Sequence, residues 1–298
     1  MWVDMRGRSL FLFGSLLAMA PALAACGAGG SEAPLIPAPP VAPPPPPPPP
    51  TPPQIDYDTA EYQRSNAATA IKALSAYSKG ATGEGVTIAL VDSGVNPALP
   101  EFAGKISSSS QDVAGTRGMG DDDGHGTAVA AILVAARNDA DIQGVAFGAS
   151  LLALRADTPG SCTSVGLSSG CSYADNNIAR SIDLAVANRA RVINLSLGGS
   201  TPNATLRGAI DRATAAGVIV IVAAGNSAAA DPNGFALIAT ETISRGLVIV
   251  AGGVNAAEQI ATFSNGGSNR AGAAAAHYLT ALATDVRTFN EEGGIILA

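Results

Sequence analysis

Short, unbroken apolar runs recur along the chain from position 86 onward. They are Val86–Asp92, Leu151–Leu154, Val192–Leu197, Val218–Ala223 and Leu247–Ala251. Continuous rather than alternating apolar character predicts strands covered on both faces. Helical spacing fills the intervals. Ala128–Ala136 is apolar and rich in alanine, and His125 opens it. Ala174–Arg189 places Ile178, Ile182 and Ala185 on one face, with Asp175 or Asn176 as its cap. Farther on, Leu206, Ile210 and Ala213 form a stripe. There Thr201-Pro202 reads as cap and first helical residue, and Gly217 as the C-terminal cap. This alternation predicts an α/β fold with a mainly parallel, helix-covered sheet. Functional side chains in such sheets gather at the carboxyl ends of the strands.

The N-terminal pattern differs. Arg6 and Arg8 precede an apolar stretch, Leu10–Leu23, that is too short to span a bilayer and ends in Leu23-Ala24-Ala25-Cys26. Residues 1–25 read as a signal peptide, and the tetrapeptide resembles the bacterial lipobox, which makes Cys26 a lipidation site. An ordinary signal peptide cut nearby is the alternative, and either one exports the chain. Lipidation would tether it to the outer membrane or cell surface. Residues 26–53 continue as a low-complexity linker whose proline run, Pro43–Pro50, favours a stiff polyproline II stalk. The globular part is expected over 54–298.

Composition narrows the partners. Hydrophobic residues make up 47% of the chain and charged ones 14%, which allows a sizeable core. Aromatics are only 4%, so close packing through Gly and Ala fits better than an aromatic-rich sandwich. The net charge is -7 with no long basic run, which argues against nucleic acid. Outside the cytoplasm two leftover cysteines usually pair, so Cys162 and Cys171 are expected as a disulfide rather than free thiols. With His125 and His277 far apart in sequence, no zinc cluster forms and no metal site is assigned.

Four segments carry candidate chemistry. Val91-Asp92-Ser93-Gly94 ends a strand in an acid. Gly124-His125-Gly126-Thr127 opens a helix with a base. Val192-Ile193-Asn194-Leu195-Ser196-Leu197-Gly198-Gly199 ends a strand in glycines, leaving backbone bare for an extended peptide to pair with. Ile221-Val222-Ala223-Ala224-Gly225-Asn226-Ser227 ends a strand in an amide able to donate to a developing oxyanion. Singly, each has a plain structural reading: a strand-end acid, a helix cap, a glycine-rich exit, a Gly-Asn turn. Asp121-Asp122-Asp123 reads as a solvated loop. Gly80-Ala81-Thr82-Gly83-Glu84-Gly85 precedes a strand, whereas a dinucleotide fingerprint follows one.

In this order the segments resemble the subtilisin family of serine proteases, the subtilases, from about Thr59 to the C-terminus. The resemblance implies a subtilisin-like three-layer sandwich and an Asp-His-Ser triad with Asp92 and His125 as its first two members. Asn226 matches the oxyanion-hole asparagine. Ser196, Leu197, Gly198 and Gly199 match the substrate-binding strand, and Ala223, Ala224 and Gly225 are expected to bind substrate as well. Ile260-Ala261-Thr262-Phe263-Ser264-Asn265 resembles the Phe-Ser-Asn segment upstream of the nucleophile. The lipobox, the proline stalk, Thr127-Ala128 and the Cys162–Cys171 loop are similar to lipidated autotransporter subtilases of Gram-negative bacteria. Those relatives carry a C-terminal membrane β-barrel, which this sequence does not include. Many subtilases also carry a folded inhibitory propeptide, which residues 27–53 cannot be. Calcium is common in the family, but no ligand set in the sequence assigns it.

One member is missing. The family's serine lies in Gly-Thr-Ser-x-Ala-x-Pro, and no such run occurs among the 298 residues. Ser93, Ser200, Ser227 and Ser264 have the wrong neighbours. The sequence reaches Glu292–Ala298 about where that motif would begin, so the domain is expected to be incomplete at its C-terminus. Two functional classes follow: a surface-tethered serine endopeptidase acting on protein or peptide, or a non-catalytic surface lipoprotein that binds peptides along Ser196–Gly199.

Overall fold

The computed structural model describes residues 55–162, 170–266 and 272–298. The signal peptide, the Cys26 lipidation site and the proline stalk lie outside the described residues. Three short helices come first, α1 (Ala60–Arg64), α2 (Asn66–Ala70) and α3 (Leu74–Tyr77). Strand β1 (Thr87–Asp92), the short β2 (Gln111–Asp112), helix α4 (His125–Val134) and β3 (Ser150–Arg155) follow. Next come α5 (Asp175–Ala187), β4 (Val192–Leu195), α6 (Ala204–Ala215), β5 (Ile219–Ala223) and β6 (Val248–Val254). The described chain ends with β7 (Tyr278–Leu282), β8 (Arg287–Phe289) and β9 (Ile295–Leu297).

Seven strands form one sheet in the order β2-β3-β1-β4-β5-β6-β7, and every pairing in it is parallel. Strands β8 and β9 make a separate antiparallel pair. Burial explains the unbroken apolar runs. Ala89 and Val91 of β1 pack in a cluster with Ile178, Ile182, Leu206 and Ile210 from α5 and α6. Ile88 and Leu90, pointing the other way, pack with Ala130, Ala131 and Val134 of α4. Both faces of the strand are therefore dry, and no polar alternation is needed.

All five expected strands are present, with β4 ending at Leu195 rather than Leu197. Both helix stripes are buried as expected. The caps differ. Helix α5 begins after Ala174, with no side-chain cap, because the Asp175 carboxylate instead accepts from the Asn203 amide at 2.7 Å. Helix α6 is capped by Asn203, whose side chain accepts from Leu206 N at 2.9 Å, and not by Thr201. Gly217 follows the α6 C-cap with φ +76°, as its expected role requires.

Candidate active site

Asp92 is the last residue of β1 and His125 the first of α4, so each is fixed by a regular element. The loop between them folds back until His125 Nδ1 lies 2.7 Å from Asp92 Oδ1. Two glycines make this approach sterically feasible. A Cβ on Gly126 would collide with the Gly94 carbonyl oxygen. Gly94 itself has φ +127°, a conformation that side chains disfavour. The Asp-Ser-Gly and Gly-His-Gly motifs are thus one packing unit read twice in the sequence.

A polar cluster sets the two motifs in place. Ser93 Oγ donates to Asp121 Oδ1 at 2.9 Å and accepts from Gly126 N at 3.0 Å. Asp121 accepts from Gly124 N at 3.0 Å and from Thr127 N and Oγ1, both at 2.7 Å, so it caps α4. The expectation of a solvated Asp121–Asp123 loop is corrected here: Asp123 is fully buried and Asp121 partly so. Only Asp122 stands exposed. For Asp121 the cause is the helix N-terminus, whose free N–H groups recruit its carboxylate.

Charge at the site is concentrated. Asp92 is buried, and its Oδ1 also accepts from Ser93 N at 2.8 Å. Burial alone would lower the His125 pKa, but the Asp92 charge and hydrogen bond, with Asp123 and Asp121 behind them, push it up to about 9. With Nδ1 donating to Asp92, the neutral ring keeps Nε2 as its basic nitrogen. Among the described residues, Asp92 is the one side chain hydrogen-bonded to the ring. Tyr173 lies in the same field: burial, then Asp92 and Asp157, drive its phenol far above the ordinary range.

Behind the loop lies an ion network that sequence reading missed. Arg117 bridges Asp112 (2.9 Å) and Asp157 (2.6 Å), and buried Arg155 binds Asp157 at 2.8 Å and Asp122 on the loop itself. Burial would raise the Asp112 carboxyl, but hydrogen bonds from Arg117 and the Ala114 amide together hold it below its usual range. Single basic residues scattered between positions 112 and 157 carry no local pattern, so only the fold brings them together.

The other candidates occupy the same carboxyl edge of the sheet. Ser196–Gly199 follow β4, which pairs with β1, and Ala223 ends β5, which pairs with β4, with Ala224–Asn226 just beyond it. Leu197 and Gly198 make no backbone hydrogen bond among the described residues, so their main chain is open to a partner. Beside them a cleft of about 340 Å³ is lined by Leu197, Gly198, Gly199, Ile178, Leu206 and Phe235, among others. Asn226 is exposed at the turn after β5. Two further asparagines hold that turn. Asn233 Nδ2 donates to the Ala223 carbonyl at 3.0 Å. Asn265 Oδ1 accepts from Ser227 N at 2.8 Å and from Ala229 N at 3.1 Å. Asn265 belongs to the Phe-Ser-Asn segment, whereas Asn233 had no sequence signal. Cys162 and Cys171 form the expected disulfide, and Cys162 Sγ lies 3.5 Å from Asp157. Thr163–Ser169 between them lie outside the described residues.

Comparison with known proteins agrees with this arrangement. A model of the subtilase family matches residues 83–290. Subtilisin E of Bacillus subtilis (strain 168) is 32% identical over 215 residues, which are 72% of this chain and 53% of that protein. Subtilisin Savinase of Lederbergia lenta is 34% identical over 201 residues, 62% of this chain and 70% of that protein. The chain thus spans about half the length of subtilisin E. Among solved structures, a cold adapted subtilisin-like serine proteinase matches with a TM-score of 0.57 at 25% identity, over 72% of this chain and 69% of that one. The prenylagaramide maturation protease PagA matches in fold with a TM-score of 0.58 at 22% identity, over 76% and 73%. With a seven-stranded parallel sheet, an Asp–His pair at its carboxyl edge and a family match over most of the globular part, the chain belongs to the subtilase family.

Proposed function

We propose that this chain supplies the acid, base and oxyanion donor of a secreted serine endopeptidase. The observation that carries the reading is the 2.7 Å Asp92–His125 contact at the sheet edge that also bears Ser196–Gly199 and Asn226. A serine hydroxyl would attack the scissile carbonyl and His125 Nε2 would take its proton. Asp92 holds the ring with Nδ1 protonated and stabilises the imidazolium. Asn226, exposed beyond β5, donates to the tetrahedral oxyanion. A donor of this kind is worth roughly 3–4 kcal/mol, a magnitude established on a subtilisin. An extended substrate peptide pairs with the open main chain of Leu197 and Gly198, placing one side chain in the neighbouring cleft.

The nucleophile in this reading belongs to a Gly-Thr-Ser-x-Ala-x-Pro segment that is not among these residues. Without it, turnover falls on the order of a million-fold, again a subtilisin figure. Export through the leader and tethering through Cys26 place the enzyme at the outer membrane or cell surface, with protein or peptide as substrate.

A fluorophosphonate probe on the purified product of the whole locus tests this. The reading requires a labelled serine in a Gly-Thr-Ser sequence. Tight peptide binding by a folded, unlabelled protein would instead favour the non-catalytic lipoprotein. For the anchor, Cys26→Ser is expected to move the protein from the membrane fraction to the soluble one.

A further inference from the structure

Membership of the subtilase family brings an expectation of bound calcium, and the residues present do not fit one. Among the described residues, the one group of three acid, histidine or cysteine side chains close enough to share an ion is Asp123 with Cys162 and Cys171. Both of those sulfurs are joined to each other. A second concentration of acids joins Glu61 and Glu101 to Asp141, which lies in the loop 137–143 that follows α4. Glu61 and Glu101 are buried. Calcium needs roughly six to eight oxygens with lone pairs converging on one point.

Glu61, Glu101 and Asp141 do not bring their oxygens close enough together to share an ion, and several oxygens at this loop already accept hydrogens of the protein. The two Glu61 carboxylate oxygens accept from Asn138 N and Asp139 N, each at 3.1 Å. Asn138 turns its amide nitrogen to Glu101 at 3.2 Å and its amide oxygen to Ala140 N at 3.0 Å. The loop carbonyls of Asp141 and Ala140 accept from the Arg64 guanidinium at 2.8 and 3.1 Å. Ser65 continues the same seam, its hydroxyl donating to Glu61 O and accepting from Gln143 N, both at 2.8 Å.

We propose that α1 stands in for a structural cation: the Arg64 guanidinium binds the loop carbonyls, Glu61 orders the loop amides, and residues 137–143 are set without a divalent ion. The chemistry suits the role. A guanidinium is permanently charged and presents a planar fork of donors, so it brings a fixed positive charge to the loop while bonding two carbonyls at once. Glu61 and Arg64 sit three residues apart, one helical turn, so a single short helix delivers both signs of charge to one loop. That loop closes the far end of the helix that begins at His125.

Hydrogen exchange read by mass spectrometry on the purified full chain, on peptides spanning 137–143, tests the assignment. In the wild-type protein the exchange rate is expected to be the same in calcium and in EDTA. Arg64→Ala and Glu61→Gln should each speed exchange there by about tenfold, with β1 and β3 unchanged. Wild-type exchange that accelerates in EDTA and slows again with calcium would overturn the proposal, because a cation would then hold the loop. Arg64→Ala protein as protected as wild type would overturn it equally. If a variant loses protection throughout the chain, the wild-type comparison of calcium with EDTA decides alone.

Discussion

Asp92 and Arg155 are register partners at the carboxyl ends of β1 and β3, and they reach His125 by different routes. Asp92 touches the imidazole directly. Arg155 acts on the loop that delivers it, donating to the Gly120 carbonyl and to Asp122 while binding Asp157 at 2.8 Å. Arg155 is 2% exposed and Asp157 1%, so its loss leaves a buried carboxylate with Arg117 alone, while Gly120 and Asp122 are exposed. Arg155→Met should destabilise the protein by roughly 3 kcal/mol, the low end for a broken buried pair, since Arg117 still holds Asp157. An unfolding free energy within about 0.5 kcal/mol of wild type, the scatter of a surface substitution, would show that the network is idle.

His125 should titrate at about 9 by NMR, above the ordinary 6.5. Asp92→Asn removes the largest raising charge and leaves burial opposed only by Asp123 and Asp121, so the titration should fall toward the ordinary value. The folded pKa is raised, so the pair's stabilisation is complete below pH 6.5 and lost as pH rises through about 9. Its size is on the order of 2–4 kcal/mol. Urea unfolding across this window should show stability declining in wild type and flat in Asp92→Asn. Equal slopes in both would refute the linkage.

Gly126→Ala tests the close approach of the two motifs. The added methyl meets the Gly94 carbonyl oxygen, a backbone atom that cannot rotate away. A loss of about 3 kcal/mol or more is expected in chemical denaturation. Gly80 has open space around its Cβ position but φ +80°, so Ala there brings backbone strain without collision and should cost only about 1 kcal/mol. Equal effects at both sites would mean that conformation, not collision, fixes Gly126.

The disulfide closes a short ring, with Cys162 and Cys171 nine positions apart. Chain entropy gives it about 2–3 kcal/mol. Replacing both cysteines by serine should lower stability by that amount. An unchanged melting temperature would show the bridge to be structurally neutral.

The sheet was legible in the sequence because unbroken apolar runs such as Val86–Val91 have one physical cause, burial on both faces. The two helix stripes were legible for the same reason. Their caps were not, since Asp175 accepts from the Asn203 amide across the two helices, a bond that depends on how α5 and α6 sit together. Asp92 and His125 could be read because the glycines around them record a backbone collision. Arg155, Asn233 and Asp121 could not, because their partners are set by the fold and no local spacing marks them.

The central claim is that His125, oriented by Asp92, is the base of a serine peptidase. The rate of fluorophosphonate labelling of the whole-locus protein, followed from pH 6.5 to above 9, tests it most directly. The account predicts that labelling of one serine rises as His125 loses its proton and is abolished by His125→Ala. Labelling that ignores pH in this window and survives His125→Ala would contradict it.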